Sequence, residues 1–188
     1  MSTFPSIQPT YGMQKQSNPK FRITSLGDGY EERTIFGLPL HQDPKVYDLT
    51  FNVSEEESDV IEAFLRSRVA DQASFTFTPP AEGFTKTGTY SQSGTTSTIT
   101  ISNHGLAIGD VVTIDYTSGS ATDGTFAIAT AVDQNTFTVT ATNSATNSGN
   151  VSVTLSGAGK YVCQAWSKTI PYNNRAVISC TFREVFEP

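Results

Sequence analysis

Residues 54–80 carry the strongest local instructions in the chain, and they demand a sheet that has to come from elsewhere in it. Ser54 followed by Glu57 has the S-x-x-E form of a capping box. In that arrangement the Ser hydroxyl accepts from an orphaned amide, while the Glu carboxylate accepts from the Ser amide. Glu55, Glu56 and Glu57 put negative charge at the positive end of the helix dipole, and Arg66 and Arg68 put positive charge near the other end. Val60, Ile61, Phe64, Leu65 and Val69 recur at helical spacing and predict a helix over 55–69 with one apolar stripe. Glu62 and Arg66 stand one turn apart on its polar side. Residues 74–80 then alternate apolar with polar and stop at Pro79 and Pro80, which predicts a half-buried strand. A helix this short is marginal in water by itself. It has to lie on a sheet.

The flanking sequence supplies one. Pro5, Pro9, Gly12 and Pro19 among polar residues make 1–20 an extended arm with a short edge strand at its start. Residues 21–24, the turn Gly27-Asp28-Gly29-Tyr30 and residues 31–35 predict a hairpin over 21–36. A loop follows over 37–44, and 46–53 is a strongly alternating strand that feeds the helix. Near the end, 160–170 and 175–186 read as a long hairpin around Pro171-Tyr172-Asn173-Asn174. Cys163 and Cys180 sit almost symmetrically about that turn, so the pattern predicts that they face each other across it.

Between these parts the composition changes abruptly. From Gly88 to Gly157 there is no Lys, Arg or Glu, and the only charges are Asp110, Asp115, Asp123 and Asp133. The alternation is too regular for disorder: 97–102, 110–116, 124–129, 136–140 and 151–155 predict short strands between turn signals. Strands spaced in this way make a small barrel or sandwich. The organisation expected is therefore a host domain of 1–87 plus 158–188, with an inserted β-domain of 88–157. The fold class expected is mainly β (α+β), with one helix packed on a sandwich or barrel.

Net charge of −6 and a pI near 4.8 argue against a nucleic-acid-binding surface as the main activity. No apolar run approaches bilayer length, so no membrane association is expected. The N-terminus lacks the basic and apolar regions of a signal peptide, so cytoplasmic synthesis and assembly are expected. Two cysteines are too few for a disulfide framework or a zinc site and read as buried thiols.

The residues of this order have a family resemblance. Leu26-Gly-Asp-Gly-Tyr-Glu-Glu-Arg33, the strand before the acid-capped helix, Phe75-Thr-Phe-Thr-Pro-Pro80 and the terminal hairpin with Val162-Cys-Gln-Ala-Trp166 resemble the minor tail protein M family of lambda-type long-tailed phages. The resemblance covers the host domain. It implies a distal-tail or tail-tube type β-fold and a structural virion protein at the tail tip. It also implies a homo-oligomeric ring of six copies, with the tail tube protein and tail-tip hub proteins as neighbours and DNA only as passing cargo. Short members of that family lack the 88–157 insertion, whose His104-Gly-Leu-Ala-Ile-Gly-Asp segment is similar to small β-modules of phage structural proteins.

Every candidate for chemistry has a simpler reading. His41 and His104 fall in different modules, so neither a dyad nor a metal cluster is expected. The carboxylates of Glu55, Glu56 and Glu57 are explained by the helix start. The Gly27-Asp28-Gly29 turn lacks the P-loop lysine and the spaced acids of an EF-hand. The four aspartates of the insertion match no calcium loop. Trp166 is expected in the core, and Tyr116, Phe126 and Phe137 alternate with the apolar set rather than forming a sugar platform. The expectation is a protein with no catalytic, cofactor or metal site that works by assembly. The alternative is a carbohydrate- or receptor-binding module acting through 88–157.

Overall fold

The computed structural model describes residues 2–35, 37–38 and 41–187, and divides the chain into two compact units. One comprises Met1–Pro80 and Ala158–Pro188, the other Ala81–Gly157. The division falls several residues before the expected boundary at 88. The reason is that the polar run from Phe84 onward is already strand, paired within the second unit. Phe36 at the end of the expected hairpin, and Pro39 and Leu40 of the expected 37–44 loop, lie outside the described residues.

The first unit is built on six strands. These are β1 (Ser2–Thr3), β2 (Gln14–Ser17), β5 (Lys45–Val53), β6 (Phe75–Phe77), β11 (Gly159–Tyr172) and β12 (Arg175–Glu184), ordered β1-β6-β11-β12-β5-β2. A separate two-stranded ribbon pairs β3 (Arg22–Ser25) with β4 (Glu31–Thr34). The single helix among the described residues, α1 (Glu55–Asp71), begins with the predicted capping box. Ser54 Oγ accepts from Glu57 N at 3.2 Å, and Glu57 Oε2 accepts from Ser54 N at 3.0 Å. The bonds that this carboxylate accepts from the Ser54 amide and hydroxyl hold it below its ordinary range. The helix runs two residues beyond the predicted end and closes on Gln72 in the left-handed conformation.

Its buried face is narrower than the predicted stripe: Ser58, Ile61 and Leu65 are buried, and Phe64 packs against the core. Val60 and Val69 are exposed; Val60 lies about 100° around the helix from Ile61, and Val69 stands in the last turn beyond the buried Leu65. Tyr47, Leu49, Phe51 and Val53 of β5 join Phe75, Phe77, Tyr161, Ile178, Cys180 and Phe182 beneath it.

The extended N-terminal segment, with the expected short edge strand at its start, is tied to the sheet at both ends. The start of this segment pairs in parallel with β6, and further on Gln14–Ser17 pair with β5 at the opposite edge of the sheet. Between these strands Thr10 anchors the segment to Thr50 O through both its amide and its hydroxyl, each at 2.7 Å. Phe4 is buried among Phe51, Phe64, Phe75, Phe77 and Phe182. Proline and polar composition concealed this single anchoring aromatic.

The terminal hairpin pairs Cys163 with Phe182 and Trp166 with Cys180, so the two thiols do not face each other. The hairpin turns at Asn173-Asn174, with Tyr172 opposite Arg175, nearer to Cys180 than to Cys163; the register shifts in β11 offset this only in part and leave the cysteines diagonal and unbonded. Burial pushes the Cys163 thiol up to about 11 and raises Cys180 further. At pH 8 only about one Cys163 in a thousand is a thiolate, so labelling of the native protein by an aromatic disulfide reagent is expected to be about 100-fold slower than after denaturation. Equal rates in both states would contradict this burial.

The second unit contains β7 (Phe84–Thr100), β8 (Val111–Asp115), β9 (Gly124–Ala131) and β10 (Thr136–Leu155). The two predicted strands at 136–140 and 151–155 are the ends of one strand, β10, whose polar middle shows no apolar alternation. The first half of β10 pairs with β9 and its second half with β8, while both halves pair with β7 across a bulge between Thr140 and Ala145. With β8 paired to β9, the sheet curls into a barrel around Tyr90, Ile99, Val112, Ile114, Phe126, Phe137, Val139, Val151 and Val153.

Candidate interaction surfaces

The residues with chemical potential are spent on the fold. His104 is buried, and its Nδ1 accepts from Leu106 N at 2.9 Å, so Nε2 carries the proton and donates to Asp133 O at 2.9 Å. It pins one turn to another. His41 stacks on Phe186, with ring centroids 4.2 Å apart. Glu55 accepts from Asn174 N at 2.9 Å, which locks the tip of the β11–β12 hairpin to the start of α1.

Asp28 accepts from Tyr30 N inside its turn, where Gly29 takes a φ of 88° that favours glycine. In the second unit, Asp110 accepts from Ala107 N, Asp123 from Tyr116 N and Asp133 from Asn135 N. Asp115 sits at the end of β8, opposite Ser152. Each of the three bonded aspartates therefore shapes a turn, and no group of three His, Cys, Asp or Glu side chains among the described residues is placed to hold a metal ion. Tyr116, Phe126 and Phe137 are buried, and Tyr116 Oη bonds Ser97 Oγ at 3.2 Å. Burial of that ring raises the Tyr116 phenol above its ordinary value. Among the described residues of this unit the exposed large apolar side chains are Ile108, Val111 and Val132, which are aliphatic. Trp166 packs partly buried against the first unit's core.

What the first unit offers instead is unpartnered surface. A shallow groove of about 350 Å³ lies along β5, β11 and β12, lined among others by Gln14, Asp48, Thr50, Ser167 and Thr181. Asp48 there already accepts from Gln16 Nε2 at 2.8 Å and Thr181 Oγ1 at 2.7 Å. Every residue of β3 and β4 is exposed, and the ribbon region bears Phe21, Ile23, Leu26, Tyr30 and Ile35 in the open. Ile170 and Tyr172 are exposed at the far end of β11. Apolar groups gathered on elements that leave the core mark contact with other molecules.

The family comparison agrees with this distribution. Residues 3–103 match the phage minor tail protein family, from the anchoring Phe4 through β7. The chain belongs to that family. This phage minor tail protein is thus a structural component of the tail and so of the virion, and its association is with other tail proteins. Residues 70–161 also match the β-barrel domain of bacteriophage endosialidase, a span that encloses the second unit. No curated protein matches the chain. No helix is long and apolar enough to cross a membrane among the described residues. The exposed residues of the β3–β4 ribbon show in the sequence as a hairpin. Their exposure is invisible there because isolated apolar residues in alternation usually read as core.

Proposed function

We propose that this minor tail protein is a ring-forming subunit at the distal end of the tail tube, with six copies joining the tube to the tail-tip hub proteins around a channel for DNA. The observation that carries this reading is a tail-family chain with its candidate chemical groups engaged in turns and caps, yet with large apolar side chains exposed on a ribbon and a hairpin tip. A ring closes through two different faces of each subunit, which elements leaving opposite parts of one sheet can provide. Net charge of −6 suits a channel that releases DNA, since phosphates gain nothing from an acidic wall. The protein then acts by assembly rather than catalysis, and its place is the tail tip after assembly in the bacterial cytoplasm.

Light scattering on the purified chain, followed by negative-stain imaging and immunogold labelling of isolated tails, tests this. Six-fold rings and label at the tip are the expected result. A monomer at millimolar concentration, together with label absent from the tip, would sink the proposal.

The match to an endosialidase β-barrel domain favours a second reading, in which the inserted unit contacts a carbohydrate or protein receptor. Gly83 and Gly157 sit so close that a Cβ on Gly83 would lie 2.8 Å from Gly157 N, so excising 81–157 leaves neighbouring ends to join. Phage carrying that deletion should assemble normal tails. Loss of adsorption by such particles supports the receptor reading, and normal adsorption ends it.

A further inference from the structure

The β3–β4 ribbon is amphipathic in a way that a lone ribbon has no use for. Ile23 pairs with Arg33 and Ser25 with Glu31, so alternation places Phe21, Ile23 and Ile35 on one face, with Arg33 directly opposite Ile23 and drawn toward the turn by its ion pair with Glu31. Arg22, Thr24, Glu32 and Thr34 make the other face wholly polar. Phe21, Ile23 and Ile35 are 68%, 51% and 64% exposed. A two-stranded hairpin is at best marginal in water unless something covers its apolar face.

The same chain has an unpaired edge that such a ribbon fits. β11 pairs with β12 along most of its length, but with β6 only at Gly159–Tyr161. Residues 162–172 therefore present a backbone edge with no strand beside it among the described residues. Next to that edge Lys168 Nζ contacts Asp59 Oδ1 of α1 at 2.5 Å, which brings β11 and the helix together. Val60, the next residue of α1, and Ile170, two residues beyond Lys168, are both about half exposed.

The geometry points to a heterologous contact between copies, in which the β3–β4 ribbon of one copy adds to the 162–172 edge of a second copy. Its Phe21, Ile23 and Ile35 then cover the partner's Val60 and Ile170. The inference rests on the ring reading above and names its interface. On the ribbon's apolar face Phe21, Ile23 and Ile35 are the large side chains left at least half exposed, so the main-chain bonds of strand addition carry much of the contact. A second copy is favoured over an unrelated neighbour because this chain carries both the unpartnered ribbon and the unpartnered edge. Strand addition of this kind takes its affinity from main-chain bonds and its register from side-chain pockets.

The test mixes two single variants, Ile23→Cys and Ile170→Cys, under mild oxidation. Cys180 is buried and the half-buried Cys163 has its thiol pushed up to about 11, so the introduced pair dominates the chemistry. The expected result is a disulfide-linked dimer in the mixture that neither variant forms alone. In parallel, Ile23→Glu with Ile35→Glu should raise the apparent Kd of self-association at least about 100-fold with Tm unchanged, since these side chains touch no core. If the charged variant assembles like wild type and no mixed dimer forms, the ribbon contact is overturned while the ring reading stands. If wild type fails to self-associate and is absent from the tip of isolated tails, both fall. A cross-link from the Ile23→Cys variant to a different tail protein in isolated tails also overturns the contact between copies.

Discussion

Replacing Phe4 with alanine is expected to lower the stability of the helix-bearing unit by about 3–5 kcal/mol, the largest effect of any single truncation near the N-terminus. Phe4 is only 5% exposed, although it is two residues beyond the first described one. Its ring centroid lies 5.3 Å from both Phe77 and Phe182, 5.5 Å from Phe51 and Phe64, and 6.0 Å from Phe75. Three of these contacts, to Phe64, Phe77 and Phe182, are edge-to-face, and each such pair adds about 0.5–1.5 kcal/mol beyond its buried area. The helix, the sheet and the N-terminal segment all meet on this ring. Removing it opens a cavity that its neighbours cannot close without pulling α1 off β5 and β12. Urea unfolding followed by far-ultraviolet circular dichroism checks the prediction, with Phe4→Leu as the milder comparison. A loss below about 1 kcal/mol for Phe4→Ala would mean that residues 1–10 do not hold this position in solution.

The second large effect is expected at Gly88. A Cβ there would lie 2.1 Å from the carbonyl oxygen of Thr100 and 2.6 Å from Cγ1 of Ile101. Those atoms belong to the other end of the same long strand, or just beyond it, because β7 bends at Gly94 and brings its two halves together as the barrel closes. The obstruction is backbone, which cannot swing aside as a flexible side chain would. Gly88→Ala is therefore expected to cost at least about 3 kcal/mol in the inserted unit, and Gly88→Val to keep the barrel from closing. Gly105→Ala is the informative control. Nothing lies within 4 Å of a Cβ at that glycine, but its φ is 68°, so only backbone strain of about 1 kcal/mol is expected. Calorimetry on the whole chain should show the transition of the inserted unit shifted by Gly88→Ala and that of the helix-bearing unit unmoved. Equal shifts for the two glycine variants would remove the closure argument.

The elements read well from residues wherever the deciding interaction is local. The capping box of Ser54 and Glu57, the acidic first turn and the strand of β5 each depend on neighbours within a few positions, and each appears where the pattern puts it. The turn aspartates behave likewise: Asp28, Asp110 and Asp133 each bond an amide two or three residues away. Helical spacing assigns Val60 and Val69 to the buried stripe wrongly, because periodicity does not say how wide a face the sheet will cover. Symmetry about residues 171–174 sets the two cysteines opposite each other wrongly, because the turn forms at Asn173-Asn174 and composition does not fix where a turn is centred.

The sequence by itself determined a mainly β chain with one capped helix, an inserted weakly charged β-module, and membership of a tail-protein family by the order of its motifs. These follow from periods of 2 and 3.6 residues and from caps and turns, which are properties of neighbours along the chain. Only the tertiary structure decided that Phe4 completes the core from the far end of an apparently loose segment. The same holds for the two polar runs that form one long bent pair, β7 with β10, and for the β3–β4 ribbon that keeps its apolar face in the open. Each of these depends on which distant surface is available to bury a side chain or pair a backbone edge. That availability is set by long-range register and closure, which no window of adjacent residues contains.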